Sequence, residues 1–373
     1  MTPHNKKKSA AKLPFAYFLN DKIRSLATRT LSLVKDRAAE EFKDLPREGI
    51  ERILLVRGTF RMGSSVLATP AIFNFRDRFP SARIDFVGSP LSTTLFKNLP
   101  VDHCFAITRR FPDASWAYPA LLRRIRSLRY DLAVEVSCSQ SAMGSFIVGF
   151  SGARLRAGMK GKWDYGYNLR VPRPAEVNKY RALPAFLAAL GLEPRTIYPR
   201  LILSPEEKEE SGARLENLIH GQRGRAVGVF VGGRKRKGKG WPMEKFHRLI
   251  AGLHQRGALP VVFFGPEETE QMETFERLLG NNIPLVFEPS ARKFAAMVSN
   301  CAVFVTCDSG PMHLACALGV PTIALFPNSG ASRWGPPAAI ARIIGQEVPA
   351  DEVLALSLAE LSRRPPFSTD HHL

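Results

Sequence analysis

Acidic residues are scarce in this sequence: 34 Asp and Glu stand against 53 Lys and Arg, a formal net charge of +19 at pH 7. Such a field repels cations and concentrates anions, so an anionic partner is expected. Charge alone leaves nucleic acid, an acidic membrane and a phosphorylated small molecule open. Long apolar runs are missing as well. The most apolar stretch, Phe294 to Cys307, is broken by Ser299, Asn300 and Thr306, and a membrane span needs roughly 18 to 20 apolar residues in a row, so none is expected. Cysteine is sparse and odd in number at five (Cys104, Cys138, Cys301, Cys307, Cys316), with no C-x-x-C pair. That pattern points to buried thiols in a reducing compartment rather than a disulfide framework.

Several signatures of chemistry are absent too. Without G-x-x-x-x-G-K-[ST] the chain is not a P-loop hydrolase, and without G-x-G-x-x-G a nicotinamide or flavin enzyme is disfavoured. No H-E-x-x-H and no zinc-spaced Cys/His cluster occurs, and two of the eight histidines, His371 and His372, sit in the tail. No metal or other cofactor is therefore expected. The missing G-x-S-x-G elbow argues against serine acyl chemistry. An RNA-recognition signature with stacking aromatics is also wanting, which counts against a nucleic-acid partner.

What is present is alternation. Apolar runs at 53–56, 84–87 and 132–136 read as buried strands, with helical periodicity at 65–79, 115–128 and 182–190. A second set follows Pro199: strands at 227–231, 261–264, 284–287, 303–305 and 322–326, helices at 243–255, 269–279, 291–298 and 312–318. Parallel neighbours need long crossovers, so the expected fold is α/β, with two doubly wound Rossmann-like domains facing a central cleft. The domains are placed at 49–200 and 201–345, with a closing helix and tail at 346–373. Residues 1–48 differ: they open with Lys6, Lys7 and Lys8 and lack the apolar core and cleavage site of a secretory signal, so a cytoplasmic location is expected. From Pro14 onward Phe15, Phe18, Leu19, Ile23, Leu26 and Leu33 fall near helical spacing among cations. This basic amphipathic extension is expected to lie on an anionic leaflet, or else to pack on its own globule or fray.

Ligands in such sheets bind beyond the carboxyl ends of the strands. Three loops there carry chemistry. In the first, after residue 56, Arg57-Gly58-Thr59-Phe60-Arg61-Met62-Gly63-Ser64-Ser65 opens a helix and offers Arg61 and Gly63 to a phosphate or an acceptor. In the second, after residue 231, five of the six residues from Arg234 to Lys239 are cationic and glycines flank them, so the loop can fold over a pyrophosphate. Lys239, beside Trp241-Pro242, is the best fixed of these, and Arg234 is a further phosphate contact. In the third, Asp308-Ser309-Gly310-Pro311-Met312-His313 runs straight into a helix. Asp308 or Ser309 can cap it, Gly310 admits close backbone approach, and Pro311 suits the first turn. The exposed N–H groups and helix dipole then suit phosphate oxygens. Each loop also reads as an ordinary capped or solvated turn when taken alone.

Together the loops resemble glycosyltransferase family nine, the ADP-heptose:lipopolysaccharide heptosyltransferase family. The resemblance covers about residues 51 to 345. It rests on Gly63 with Val66-Leu67-Ala68-Thr69-Pro70, Arg78-Phe79-Pro80, Tyr130-Asp131-Leu132, Lys239 with Trp241-Pro242, the run from Asp308 to Ala315, and Arg333-Trp334-Gly335-Pro336. It implies a GT-B fold, with acceptor bound by the first domain, nucleotide-sugar by the second, inverting transfer and no required metal. Lys239 would contact the diphosphate, Asp308, Ser309 and Gly310 the phosphate and ribose, and His313 matches a family position. Similar enzymes carry an Asp directly after the first-loop glycine, taken as the base that deprotonates the acceptor. Here that position is Ser64, a very weak proton acceptor. Glu135, at a strand end expected to face the cleft, is the substitute. The resulting expectation is transfer of heptose, or a related sugar, from an ADP-type donor to an anionic lipopolysaccharide core acceptor at the membrane surface. A catalytically impaired nucleotide-sugar-binding homologue is the alternative.

Overall fold

Strands with no polar face need helices on both sides, and that is how this chain folds. The computed structural model describes residues 45–46, 48–107, 113–137, 141–220, 225–233, 240–326 and 330–363. Most of the basic extension, with Arg234 and Lys239, lies outside the described residues. The first sheet comprises β1 (Arg52–Val56), β2 (Arg83–Gly88), β3 (His103–Ala106), β4 (Leu132–Glu135), β5 (Leu155–Met159) and β6 (Leu169–Val171). The second comprises β7 (Ala226–Phe230), β8 (Leu259–Phe264), β9 (Leu285–Phe287), β10 (Val303–Cys307), β11 (Thr322–Phe326) and β12 (Arg342–Gly345). Every pairing in both is parallel. The orders β3-β2-β1-β4-β5-β6 and β9-β8-β7-β10-β11-β12 are the same doubly wound order. Each sheet therefore reverses direction once, between β1 and β4 and between β7 and β10, and the crevice for a ligand opens there.

The helices of the first half are α1 (Met62–Val66), α2 (Thr69–Arg78), α3 (Pro90–Leu95), α4 (Asp113–Ser127), α5 (Ala142–Phe150) and α6 (Lys179–Ala189). Those of the second are α7 (Pro205–Leu218), α8 (Met243–Gln255), α9 (Thr269–Leu279), α10 (Ala291–Ser299), α11 (Gly310–Ala317), α12 (Ala331–Trp334) and α13 (Ala350–Ser362). The single helix expected over 65–79 is two. Thr69 Oγ1 donates to the Val66 carbonyl at 2.9 Å, and Pro70 has no N–H to continue the ladder but fits the first turn of α2. The closing helix α13 packs on α8 of the second sheet.

One apolar cluster runs through both halves, from Ile53 and Phe96 to Phe294 and Phe304. Arg292 on α10 rivets them. It is buried and donates to both carboxylate oxygens of Glu207 (2.8 and 2.6 Å), to the Leu95 carbonyl ending α3 (2.8 Å) and to Ile202 in the connection (2.7 Å). The Arg292 hydrogen bond holds the Glu207 carboxyl down at about 2, below the usual carboxylate range. Contacts such as these hold the two halves together beside the cleft.

Candidate active site

The cleft has a volume of about 560 Å³ and is lined by loops that follow strands of both sheets. From the first half come Phe60, Arg61, Met62, Gly63 and Ser64, after β1. From the second come Gly233 after β7, Gly265 to Glu268 after β8, Glu288 and Pro289 after β9, and Asp308 to Pro311 with His313 after β10. Arg61, Gly63, Ser64, Asp308, Ser309, Gly310 and His313, named from sequence, are thus brought to one hollow although up to 252 positions separate them. Gly233, which also lines the hollow, immediately precedes the cationic run in sequence, and that run lies outside the described residues.

Glycine decides how closely the halves approach. A Cβ on Gly63 would fall 2.3 Å from His313 Cδ2, and one on Gly310 would fall 3.1 Å from Met62 Cβ. The first turns of α1 and α11 therefore face each other almost backbone to backbone. Ser309 is the N-cap of α11 yet makes no side-chain cap bond; its Oγ lies 3.1 Å from Thr306 Oγ1 instead. The capping expected of Ser309 is not made because Thr306 holds that hydroxyl back, so the side chain leaves the first turn of α11 open to the cleft. His313 is buried. Its Nδ1 is 2.6 Å from the Tyr180 hydroxyl on α6 and its ring meets Trp334 edge-on. It joins the halves while presenting an edge to the cleft.

Glu135 does not line the cleft. Its carboxylate is buried beneath the switch-point loop, where it accepts from the Tyr167 hydroxyl, from Ser137 Oγ at 2.9 Å and from the Ser141 backbone at 3.1 Å. Gly144 lies so close that an added Cβ would fall 2.4 Å from Glu135 Oε1. The expectation of a cleft-facing strand-end acid fails because Tyr167, 32 residues on, folds over it. Desolvation pushes this carboxyl up to about 7, against the opposing pull of Tyr167, Ser137 and Arg57. Folded protein holds this proton more tightly than unfolded chain, where the group ionises near 4.5. The stability it contributes is full below about pH 4.5 and is lost as pH rises through about 7. Glu135→Gln should flatten that fall, read as melting temperature against pH; parallel curves for wild type and variant would contradict it.

Sequence reading missed the carboxylates Glu267, Glu268 and Glu288. The signal was present, since each follows a strand end, but acids in turns are commonplace. Glu268 accepts from the Gly265 backbone at 3.1 Å, and burial raises its pKa. Among the described lining residues Arg61 is the one Arg or Lys, set against four acids including Asp308. Carboxylates of this kind accept hydrogen bonds from hydroxyl groups. Among the described residues no cluster of His, Cys, Asp and Glu is placed for a metal ion, and no helix is long and apolar enough to cross a membrane.

A family model described as glycosyltransferase family 9 (heptosyltransferase) matches residues 119–356. The chain belongs to glycosyltransferase family 9. It is 23% identical over 288 residues to lipopolysaccharide heptosyltransferase 3 of Escherichia coli, covering 74% of this chain and 83% of that protein. The solved E. coli ADP-heptose lps heptosyltransferase II superposes with a TM-score of 0.70 at 21% identity, covering 84% of this chain and 99% of that one. An E. coli heptosyltransferase solved with ADP superposes at 0.66 and 18% identity, covering 83% and 99%. The architecture is GT-B, with two Rossmann-like domains, and this family 9 member is a glycosyltransferase.

Proposed function

We propose that this family 9 enzyme transfers heptose, with inversion, from an ADP-type donor to an anionic lipopolysaccharide core acceptor. The observation that carries the reading is the meeting of α1 and α11 at one cleft, with the N-terminal turn of α11 beside Asp308. The donor's diphosphate lies against the α11 N-terminus and Lys239. Its ribose hydroxyls face the carboxylates of the second half. Negative charge grows on the departing nucleoside diphosphate, and a helix N-terminus with a lysine stabilises it without a metal. The acceptor enters from the first half past Phe60 and Arg61. Related enzymes whose names state lipopolysaccharide and ADP-heptose support these choices.

The test is a donor panel of ADP-heptose, UDP-sugars and GDP-sugars with the full chain, reading binding and product in parallel. It is run with and without vesicles of anionic lipid, because the net charge of +19 fits a membrane-surface acceptor. ADP-heptose should bind and turn over, and the protein should sediment with vesicles and leave them at high salt. Donor binding with no product would favour an impaired homologue, and preference for another nucleotide would overturn the donor assignment.

A further inference from the structure

The first loop is held from beneath as well as from across the cleft. It leaves β1 at Arg57, directly beside Glu135, because Glu135 pairs with Val56 where the first sheet reverses. We infer that Glu135 is a positioning residue of the transfer reaction: its buried carboxylate clamps the first loop in place through the N-terminus of α5 and through Arg57. This rests on the transferase reading above and deepens it, giving a role to a group that does not reach the cleft.

The contacts run stepwise from the carboxylate to the cleft wall. Glu135 Oε1 accepts from the Ser141 backbone N–H at 3.1 Å, and Ser141 is the N-cap of α5. The Ser141 hydroxyl in turn accepts from Gly144 N at 3.2 Å and donates to the Gly58 carbonyl at 3.4 Å. Gly58 rests on that turn so closely that an added Cβ would fall 2.8 Å from Ser141 Oγ and 2.9 Å from Gly144 N. Gly144 meets Glu135 in the same way on the other side, so carboxylate, helix end and loop stack with no side chain between them. Arg57 makes the second tie. It is buried, its Nε donates to the Ser64 carbonyl at 3.3 Å, and its charge acts on the Glu135 carboxylate. The loop is thus fastened at Gly58 by α5 and at Ser64 by Arg57. Between those points lie Phe60, Arg61, Met62 and Gly63, which all line the cleft.

Charge gives the clamp its grip. An ionised carboxylate strengthens the hydrogen bonds it accepts and holds Arg57. It also complements the positive end of α5, which has no acidic residue in its own first turn. The charged and titratable groups that act on Glu135 are Arg57 from the end of β1 and Tyr167 from the loop before β6, with Asp164 acting on Tyr167. Burial opposes ionisation and raises this carboxyl to about 7, so the clamp tightens as pH rises through that value. The form that grips is therefore the one that costs folding stability, a conflict common where activity and stability compete.

The experiment compares the full chain with Glu135→Gln, which removes the charge and keeps the shape, by amide hydrogen exchange and by kinetics with ADP-heptose and a phosphorylated core oligosaccharide. Well above pH 7, where the wild-type carboxyl is ionised, exchange over residues 57–65 should quicken at least about tenfold, the worth of one charge-assisted hydrogen bond, while the strands of the second sheet keep their rates. Acceptor kcat/KM should fall about 10- to 100-fold, the scale of a small misplacement, and ADP affinity should stay within about twofold. The gap between wild type and variant should close as pH falls below about 7, where both carry a neutral group. Should Glu135→Gln fail to fold, Ser141→Ala, which cuts the hydroxyl link to Gly58, decides by the same exchange measurement. Unchanged exchange over 57–65, an equal quickening across the second sheet, or a gap that ignores pH would overturn the clamp. So would wild-type acceptor kcat/KM in Glu135→Gln. A wild type that transfers nothing overturns the transferase reading instead, and the exchange rates then decide the clamp by themselves.

Discussion

Gly63→Ala is expected to cut turnover by about 10²-fold, the scale on which a misplacement of about 1 Å acts on a positioned reaction. The added Cβ would arrive 2.3 Å from His313 Cδ2. His313 cannot swing away, being held at Nδ1 by Tyr180 and backed by Trp334. The strain is relieved by moving α1 away from α11, which parts the acceptor side of the cleft from the donor side. Overpacking of this kind also costs about 1–3 kcal/mol, so the melting temperature should fall with the rate. The pair is coupled, and a double-mutant cycle reads that coupling. Adding His313→Ala should recover much of the stability lost in Gly63→Ala. An alanine variant with wild-type kcat would show that the working enzyme does not hold its helices at this separation.

Lys239→Ala is expected to weaken ADP binding by about 10- to 150-fold, the equivalent of about 1.5–3 kcal/mol for one lost charge-assisted hydrogen bond. The reasoning is electrostatic. Glu267, Glu268 and Asp308 line the described wall with Glu288, which Arg214 pairs at 2.8 Å, and Arg61 is the one Arg or Lys among the described lining residues. A diphosphate settling there needs cations, and the run from Arg234 to Lys239 follows the cleft-lining Gly233 directly in sequence. Lys235→Ala serves as the comparison, since the sequence reading singles out Lys239 and not Lys235 as the diphosphate contact. Calorimetric titration with ADP measures both variants. Equal affinity for ADP in Lys239→Ala and wild type would remove the lysine from the donor site.

Much of the fold was legible. Central strands such as β1, β7 and β10 are short runs of Val, Ile, Leu and Phe buried on both faces, and their side chains alone announce that environment. The edge strands β6 and β12 were not. β6 has three residues, and β12 is largely exposed, so neither carries an apolar run long enough to stand out. The start of α7 was written in Ser204 and Glu207, which form a reciprocal capping box, yet its weakly apolar body hid it. In the site, the glycine turns and the Asp308 to His313 run were readable because backbone chemistry at a strand-to-helix turn is local. Glu135 misled for the opposite reason: its burial depends on Tyr167.

The sequence by itself determined the doubly wound halves, the loops that bear the site and the family, because hydrophobic period and turn chemistry act over a few residues at a time. Only the tertiary structure decided that Glu135 is sealed away and that Gly63 must be glycine. Those facts depend on contacts such as Tyr180 with His313, 133 positions apart. Burial and proximity between such distant residues exist only once the two sheets have packed.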